Sequence, residues 1–157
     1  MRIRIVVADQ SEARFYDTER PRGRLQLAGR LTDPTAHLHD RDLKSDRPGR
    51  VFTSATAGGG RRGATAHHAT GGERRPRKMQ AQRFARRIAT ELEKARRENR
   101  FDGIVVMAGP SFLGLLRDAL PAGLRACVAA EIRKDLVHQD TGVLRAHLPE
   151  EAFTGRA

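Results

Sequence analysis

Acidic residues near predicted strands are the first candidates for chemistry in this sequence of 157 residues. Asp9 directly follows the predicted first strand, residues 3–8. Nucleases that use two metal ions carry a carboxylate at the end of their first strand, so Asp9 is in the place expected for a metal ligand. Such a site needs several carboxylates that converge on ions roughly 4 Å apart. Asp102 instead precedes a predicted strand, Glu91 lies in a strongly basic predicted helix, and Glu131 stands without an adjacent acid. The sequence therefore favours Asp9 as a turn former over a two-metal site.

Histidines and one serine are the other residues whose types could support a reactive site. The potential metal ligands are His37, His39, Asp40, Asp42, His67 and His68. No helix-borne pair of ligands supports them, so a polar turn is predicted at 37–42, with no metal and no cofactor. Ser111 follows Gly109, but the nucleophile-elbow pattern Gly-x-Ser-x-Gly lacks its second glycine. We therefore expect Ser111 to cap a helix.

Arginine and lysine form the strongest chemical signal. Residues 58–78 contain six basic residues and one acid, Glu73, among runs of glycine. No Gly-Lys-Ser/Thr follows these glycines, so they do not fit a P-loop, but such a segment can follow a phosphate backbone. The predicted phosphate-binding residues are Arg61, Arg62, Arg74, Arg75, Arg77, Lys78, Arg83, Arg86 and Arg87. No aromatic residue interleaves with these cations, so stacking on single-stranded bases is not predicted.

The overall composition agrees with a polyanionic partner. The net charge is +11, from 30 basic and 19 acidic residues. This charge favours RNA or the ribosome, or an acidic protein; the alternative is a basic surface without such a partner. Cys127 is the only cysteine, so no disulfide forms within the chain. No apolar run reaches the ~20 residues of a membrane span and no signal peptide is apparent, so a cytoplasmic location is expected.

Hydrophobic periodicity defines the elements that must position these residues. Strands are predicted at 3–8, 12–17 and 25–31, joined by short turns as an antiparallel meander. Alternation in the third strand places Leu25, Leu27 and Leu31 on its buried face. Residues 54–78 are predicted to be a flexible, disordered insertion. A helix at 79–98, a strand at 104–107, a helix at 112–120, a strand at 127–132 and a helix at 141–148 follow.

This order, β-β-β-α-β-α-β-α, predicts the fold class. A helix between two strands implies parallel pairing with right-handed crossovers. The sequence is therefore predicted to form one α/β domain over 1–157. Its mixed sheet would have a ribonuclease H-like arrangement, and a long basic loop would precede the first long helix.

Five segments together resemble the bacterial host-attachment protein family. They are IVVADQSEARFYD, RDLKSDRPGR, RFARRIATELEKA, FDGIVVMAGPSFLGLLRDAL and EIRKDL. That family is similar in fold to the central domain of archaeal and eukaryotic peptide-chain release factors and of Pelota. The release-factor domain carries a Gly-Gly-Gln loop before a helix. Gly71, Gly72 and Glu73 stand in the comparable place here, with a glutamate instead of the glutamine.

The residues and the resemblance leave three functions open. The first is a non-enzymatic protein that binds RNA or the ribosome through the Arg-rich loop and helix. The second is a hydrolase that acts on peptidyl-tRNA, RNA or another ester, using Asp9 and Glu73 or a metal. The third is a protein-interaction factor whose basic loop meets an acidic partner and which is needed indirectly for attachment to host cells.

Overall fold

The computed structural model describes residues 1–36 and 59–155, with side chains for 1–36 and 75–155. Its strands are β1 Ile3–Ala8, β2 Glu12–Thr18, β3 Gln26–Thr32, β4 Gly103–Ala108 and β5 Val128–Ile132. Its helices are α1 Gly59–Arg97, α2 Pro110–Ala119, α3 Ala122–Cys127 and α4 Thr141–Ala146, followed by a 3₁₀ helix at Glu150–Phe153. The predicted α/β class is confirmed.

The strands form one mixed sheet in the order β3-β2-β1-β4-β5. Strands β1, β2 and β3 are antiparallel neighbours, which confirms the predicted meander. Strand β4 pairs in parallel with both β1 and β5. The helix between β4 and β5 predicted their parallel direction, whereas the pairing of β4 with β1 was not predicted. Strands β1 and β4 are buried at every position, because helical segments cover both faces of the sheet.

Each face of the sheet has its own core. On one face α1, α2 and α3 contribute Phe84, Leu113 and Leu124 to a cluster with Val6 and Val106. On the other face the C-terminal segment covers the strands with Leu136, Val137, Leu144, Leu148 and Ala152. Helix α1 is therefore fixed to the sheet by its C-terminal half, where apolar side chains recur at helical spacing.

Strand β3 differs from its predicted pattern. Leu27 is 62% exposed, so its expected place on a buried face is wrong. The pairing of β2 with β3 shifts register between Phe15 and Tyr16, and such an irregularity interrupts the strict alternation of faces. Strand β3 also lies at the edge of the sheet. Leu25 and Leu31 still pack against the two cores.

Helix α1 begins at Gly59, twenty residues before the predicted start at residue 79. The predicted loop is therefore helical backbone over 59–78, and its residues 54–58 lie outside the described residues. Alanine, arginine, lysine and glutamate in this stretch favour helix, whereas each glycine costs ~1 kcal/mol relative to alanine. Pro76 lies inside α1, where it cannot donate the usual backbone hydrogen bond.

A short helix was not predicted. Helix α3 places buried Leu124 under the first core, after Pro121 as its N-cap. Cys127 belongs to this helix rather than to the last strand, which was predicted to begin at residue 127. Six residues give too short a periodic pattern to be distinguished from a turn.

Candidate functional site

The exposed side of helix α1 carries most of its predicted cations. Over residues 75–97 the sequence has nine basic residues and two acids. The predicted residues Arg75, Arg77, Lys78, Arg83, Arg86 and Arg87 are exposed, as are Lys94, Arg96 and Arg97. All six predicted residues with described side chains are therefore exposed on α1, and Arg77 and Lys78 lie on other sides of the helix than the remaining four.

Most of these cations share one direction. At 3.6 residues per turn, six of them fall within an arc of about 120°. We call this set the basic face: Arg75, Arg83, Arg86, Arg87, Lys94 and Arg97. The opposite side of the helix holds Ala81, Phe84, Ile88 and Leu92, which are at most 5% exposed. Burial of this apolar stripe fixes the rotation of α1 and turns the basic face to solvent.

Two members of the basic face, Arg87 and Arg97, have partners in the described residues, and Arg97 Nη2 lies 3.7 Å from Glu93 Oε2. Arg87 donates a hydrogen bond to the Thr32 carbonyl at 3.1 Å, and its guanidinium carbon lies 5.6 Å from the Phe84 ring centroid. In the parts of the chain that the structure describes, the guanidinium groups of Arg83 and Arg86 have no hydrogen bond or ion pair. These two groups can therefore bind an anion without breaking an existing contact.

Part of the predicted site falls where only the backbone is described. Arg61, Arg62 and Arg74 lie on the N-terminal part of α1, and their role in binding stays a prediction. Gly71, Gly72 and Glu73 also lie within α1, so the loop expected from the resemblance is helical at these residues. The histidines and aspartates at 37–42 lie outside the described residues, as do the side chains of His67 and His68.

Asp9 is a turn former, as its position after β1 predicted. Its Oδ1 accepts hydrogen bonds from the Ser11 backbone N–H at 2.8 Å, the Ser11 hydroxyl at 3.0 Å and the Glu12 N–H at 2.8 Å. The other acids considered with it are elsewhere. Asp102 accepts from the Arg2 N–H, and Glu131 forms an ion pair with Arg117. Within the described residues, no group of three or more His, Cys, Asp or Glu is placed to hold a metal.

Glu12 is the centre of a charge cluster beside Asp9. Its Oε1 lies 2.8 Å from Arg14 Nε and 2.7 Å from Arg30 Nε, and its side chain is 9% exposed. The imidazole of His138 lies 3.8 Å from both Glu12 and Asp9. Burial alone would raise the pKa of Glu12, but the hydrogen bond from Arg14 and the nearby positive charges outweigh it. The pKa of Glu12 is therefore lowered.

Asp33 and Gln80 fasten α1 to the same edge of the sheet. Gln80 is 2% exposed and donates to Asp33 Oδ2 at 2.7 Å and to the Gln10 carbonyl at 2.9 Å. Burial would raise the pKa of Asp33, but hydrogen bonds from Thr35 and Gln80 lower it below its ordinary value. This pair was not predicted from the sequence, although Asp-Pro-Thr at 33–35 is typical of a helix start.

Acid is expected to weaken the fold through these carboxylates. The folded pKa values of Glu12 and Asp33 lie below the ordinary values of 4.5 and 3.8. Their stabilising effect is therefore complete above about pH 5 and is lost as the pH falls through the folded values. Urea unfolding at pH 7 and at pH 4 should show lower stability at pH 4. The variant Glu12→Gln/Asp33→Asn should show a smaller difference, and an unchanged difference would contradict the assignment.

Ser111 does not cap helix α2, which corrects the prediction. The N-cap is Gly109, and no side chain caps this end. Ser111 lies exposed in the first turn, beside a cleft of about 410 Å³ that Asp9, Ser11 and Asp135 also line. Pro110 supplies the fixed backbone angle that suits the first helical position.

The sequence matches the model of a known protein family. Residues 4–148 match the model of a family described as protein required for attachment to host cells. The chain belongs to this host-attachment family. The matched region includes β2 to β5 and helices α1 to α4, and it ends before the 3₁₀ helix. No curated protein matches the sequence.

For this member of the host-attachment family, four of the resembling segments lie within described elements. They form the β1–β2 hairpin, the C-terminal half of α1, the β4–α2 unit and the end of β5. The segment RDLKSDRPGR lies outside the described residues. Among the helices that the structure describes, none has the length and apolar character to cross a membrane.

Proposed function

We propose that this host-attachment family protein is a non-enzymatic RNA-binding or ribosome-associated protein that holds phosphate groups with the basic face of α1. The basic face is the observation that carries the proposal. Its six cations extend over about 33 Å of helix, at 1.5 Å per residue. Cations spaced along a nucleic-acid backbone bind by releasing condensed counterions.

The surroundings of the basic face favour contact with the phosphate backbone. In the described part of the chain, every Phe and Tyr is buried or half-buried. Stacking on unpaired bases needs exposed aromatic rings. Phosphate contacts position a nucleic acid without reading its sequence. We therefore propose a structured RNA, bound with little sequence preference, as the ligand.

The proposal also includes a ribonuclease H-like fold and a cytoplasmic location. The strand order β3-β2-β1-β4-β5 supports a ribonuclease H-like arrangement and a relation to the central domain of release factors and Pelota. A cytoplasmic location accords with an RNA or ribosome partner. Cell fractionation tests the location, because recovery of the protein only at the cell surface would contradict it.

Filter binding to a hairpin RNA across a range of salt concentrations tests the interface. Arg83→Glu/Arg86→Glu removes two free cations and reverses their charge. We expect affinity to fall on the order of 100-fold at low salt and the salt slope to drop by roughly 2. Arg133→Glu/Lys134→Glu makes the same change in net charge at exposed positions beyond β5 and should have a much smaller effect.

Two results would overturn the RNA proposal. One is the absence of RNA affinity even at low salt, and the other is an equal loss in both variants. Capture of partners from lysate with and without ribonuclease separates the acidic-protein alternative. A partner that persists after ribonuclease treatment and is lost in Arg83→Glu/Arg86→Glu would replace RNA as the ligand of the basic face.

A further inference from the structure

We propose that a second site, a pocket between the β2–β3 turn and the C-terminal end of α1, binds a small phosphorylated ligand. The pocket has a volume of about 550 Å³. Four arginines line it, Arg2, Arg20, Arg24 and Arg100. We call it the arginine pocket. It shares no residue with the basic face and does not depend on RNA binding.

The β2–β3 turn holds two of these arginines in place. The Gly23 N–H donates to the Arg20 carbonyl at 3.0 Å, which closes the turn Arg20-Pro21-Arg22-Gly23. The Thr18 hydroxyl donates to the same carbonyl at 2.9 Å. A Cβ at Gly23 would lie 3.0 Å from the Thr18 hydroxyl oxygen and 3.2 Å from that carbonyl. The turn is therefore tight, and it fixes the backbone between Arg20 and Arg24.

The end of α1 fixes the other two arginines. Asn99 adopts a φ of 55°, the left-handed conformation that ends many helices. Its carbonyl accepts a hydrogen bond from the Arg2 guanidinium. Arg100 pairs with Glu98 at 2.6 Å. Because these contacts orient Arg2 and Arg100 before any ligand arrives, binding costs less conformational entropy.

The balance of charge in the pocket favours an anion. Two acids, Asp17 and Glu19, also line it. Asp17 is already neutralised, because both of its oxygens accept from Arg4 at 2.8 Å. Within the described residues, the guanidinium groups of Arg20 and Arg24 have no hydrogen bond or ion pair. Two uncommitted cations therefore face a cavity in which one of the two lining carboxylates is already paired.

The chemistry and size of the pocket indicate the ligand class. A guanidinium presents a planar fork of donors that matches the oxygens of phosphate. The volume lies within the range of ~300–1,000 Å³ that is usual for small-molecule sites. Several arginines around one cavity suit a ligand with more than one phosphate charge. We infer a pyrophosphate-bearing metabolite, such as a nucleoside diphosphate.

Titration calorimetry with inorganic pyrophosphate and with ADP tests the site on the full chain. We expect saturable binding of both, and a loss of about tenfold or more in affinity in Arg20→Ala/Arg24→Ala, as two charge-assisted contacts are removed. Arg133→Ala/Lys134→Ala is the matched control, since it removes two exposed cations that belong neither to the arginine pocket nor to the basic face. It should bind both probes within about twofold of the original chain.

Absence of saturable binding, or an equal loss in both variants, would overturn the arginine pocket. The two sites can be distinguished because hairpin RNA affinity should persist in Arg20→Ala/Arg24→Ala. Both arginines are exposed, so this variant should keep the thermal midpoint of the original chain. If the thermal midpoint is lowered, Arg24→Ala alone is measured instead, and a loss of affinity for both probes is again expected.

Discussion

Replacement of Arg4 with alanine is expected to lower the free energy of unfolding by about 3 kcal/mol. The Arg4 side chain is 7% exposed, and its Nε and Nη2 donate to the two oxygens of Asp17 at 2.8 Å each. Its guanidinium carbon also lies 5.5 Å from the Phe101 ring centroid. The variant leaves Asp17 without its cation beside an apolar core. This loss is at the low end of the range for breaking a buried ion pair, because the Asp17 side chain is 29% exposed.

Urea unfolding followed by circular dichroism measures this effect. Arg133→Ala is the control, since Arg133 is exposed and should change stability by less than about 0.5 kcal/mol. The double variant Arg4→Met/Asp17→Leu should recover much of the loss, because an apolar pair can replace a buried ion pair. A single variant as stable as the control would show that the pair adds nothing to the fold.

Replacement of Phe84 with alanine is expected to cost about 3–5 kcal/mol. Phe84 is fully buried in α1, and its ring centroid lies 6.2 Å from that of Phe112 in α2. Alanine would leave a cavity where α1, α2 and the sheet meet. Arg87 would also lose the ring beneath its guanidinium. The basic face should therefore lose part of its orientation together with the stability of the chain.

Thermal and urea unfolding of Phe84→Ala measure the loss of stability. Met79→Ala is a matched control on the same helix, since Met79 is 55% exposed and should be nearly neutral. Phe84→Leu keeps most of the volume and should fall between the two. A small effect of Phe84→Ala would mean that α1 is held to the sheet by other contacts, and Gln80→Ala would then be the next variant to measure.

Much of the fold follows from patterns within short stretches of sequence. The five strands were predicted to within one residue at each end, because apolar runs and turn residues are local signals. Parallel and antiparallel pairing followed from what connects each pair of strands. The place of β1 beside β4 at the centre of the sheet could not be predicted from local patterns, because this pairing joins residues that are distant in the sequence.

The features that were not predicted from the sequence have physical causes of their own. The start of α1 was missed because its N-terminal part is rich in glycine and contains Pro76. The exposure of Leu27 accompanies a register shift in the pairing of β3 with β2. Cations were found as candidates because charge is visible in sequence. The arginine pocket was not, since Arg2, Arg20 and Arg100 meet only when the sheet has formed.

The pairing of β1 with β4 also determines when the chain can fold. Ile3 lies opposite Gly103, and every residue pair in this central ladder joins positions one hundred residues apart in the sequence. Closing so long a loop costs entropy before any ladder bond repays it, and such topologies fold slowly. The β1–β2 hairpin can form early during synthesis, but its inner edge stays unpaired until β4 has left the ribosome.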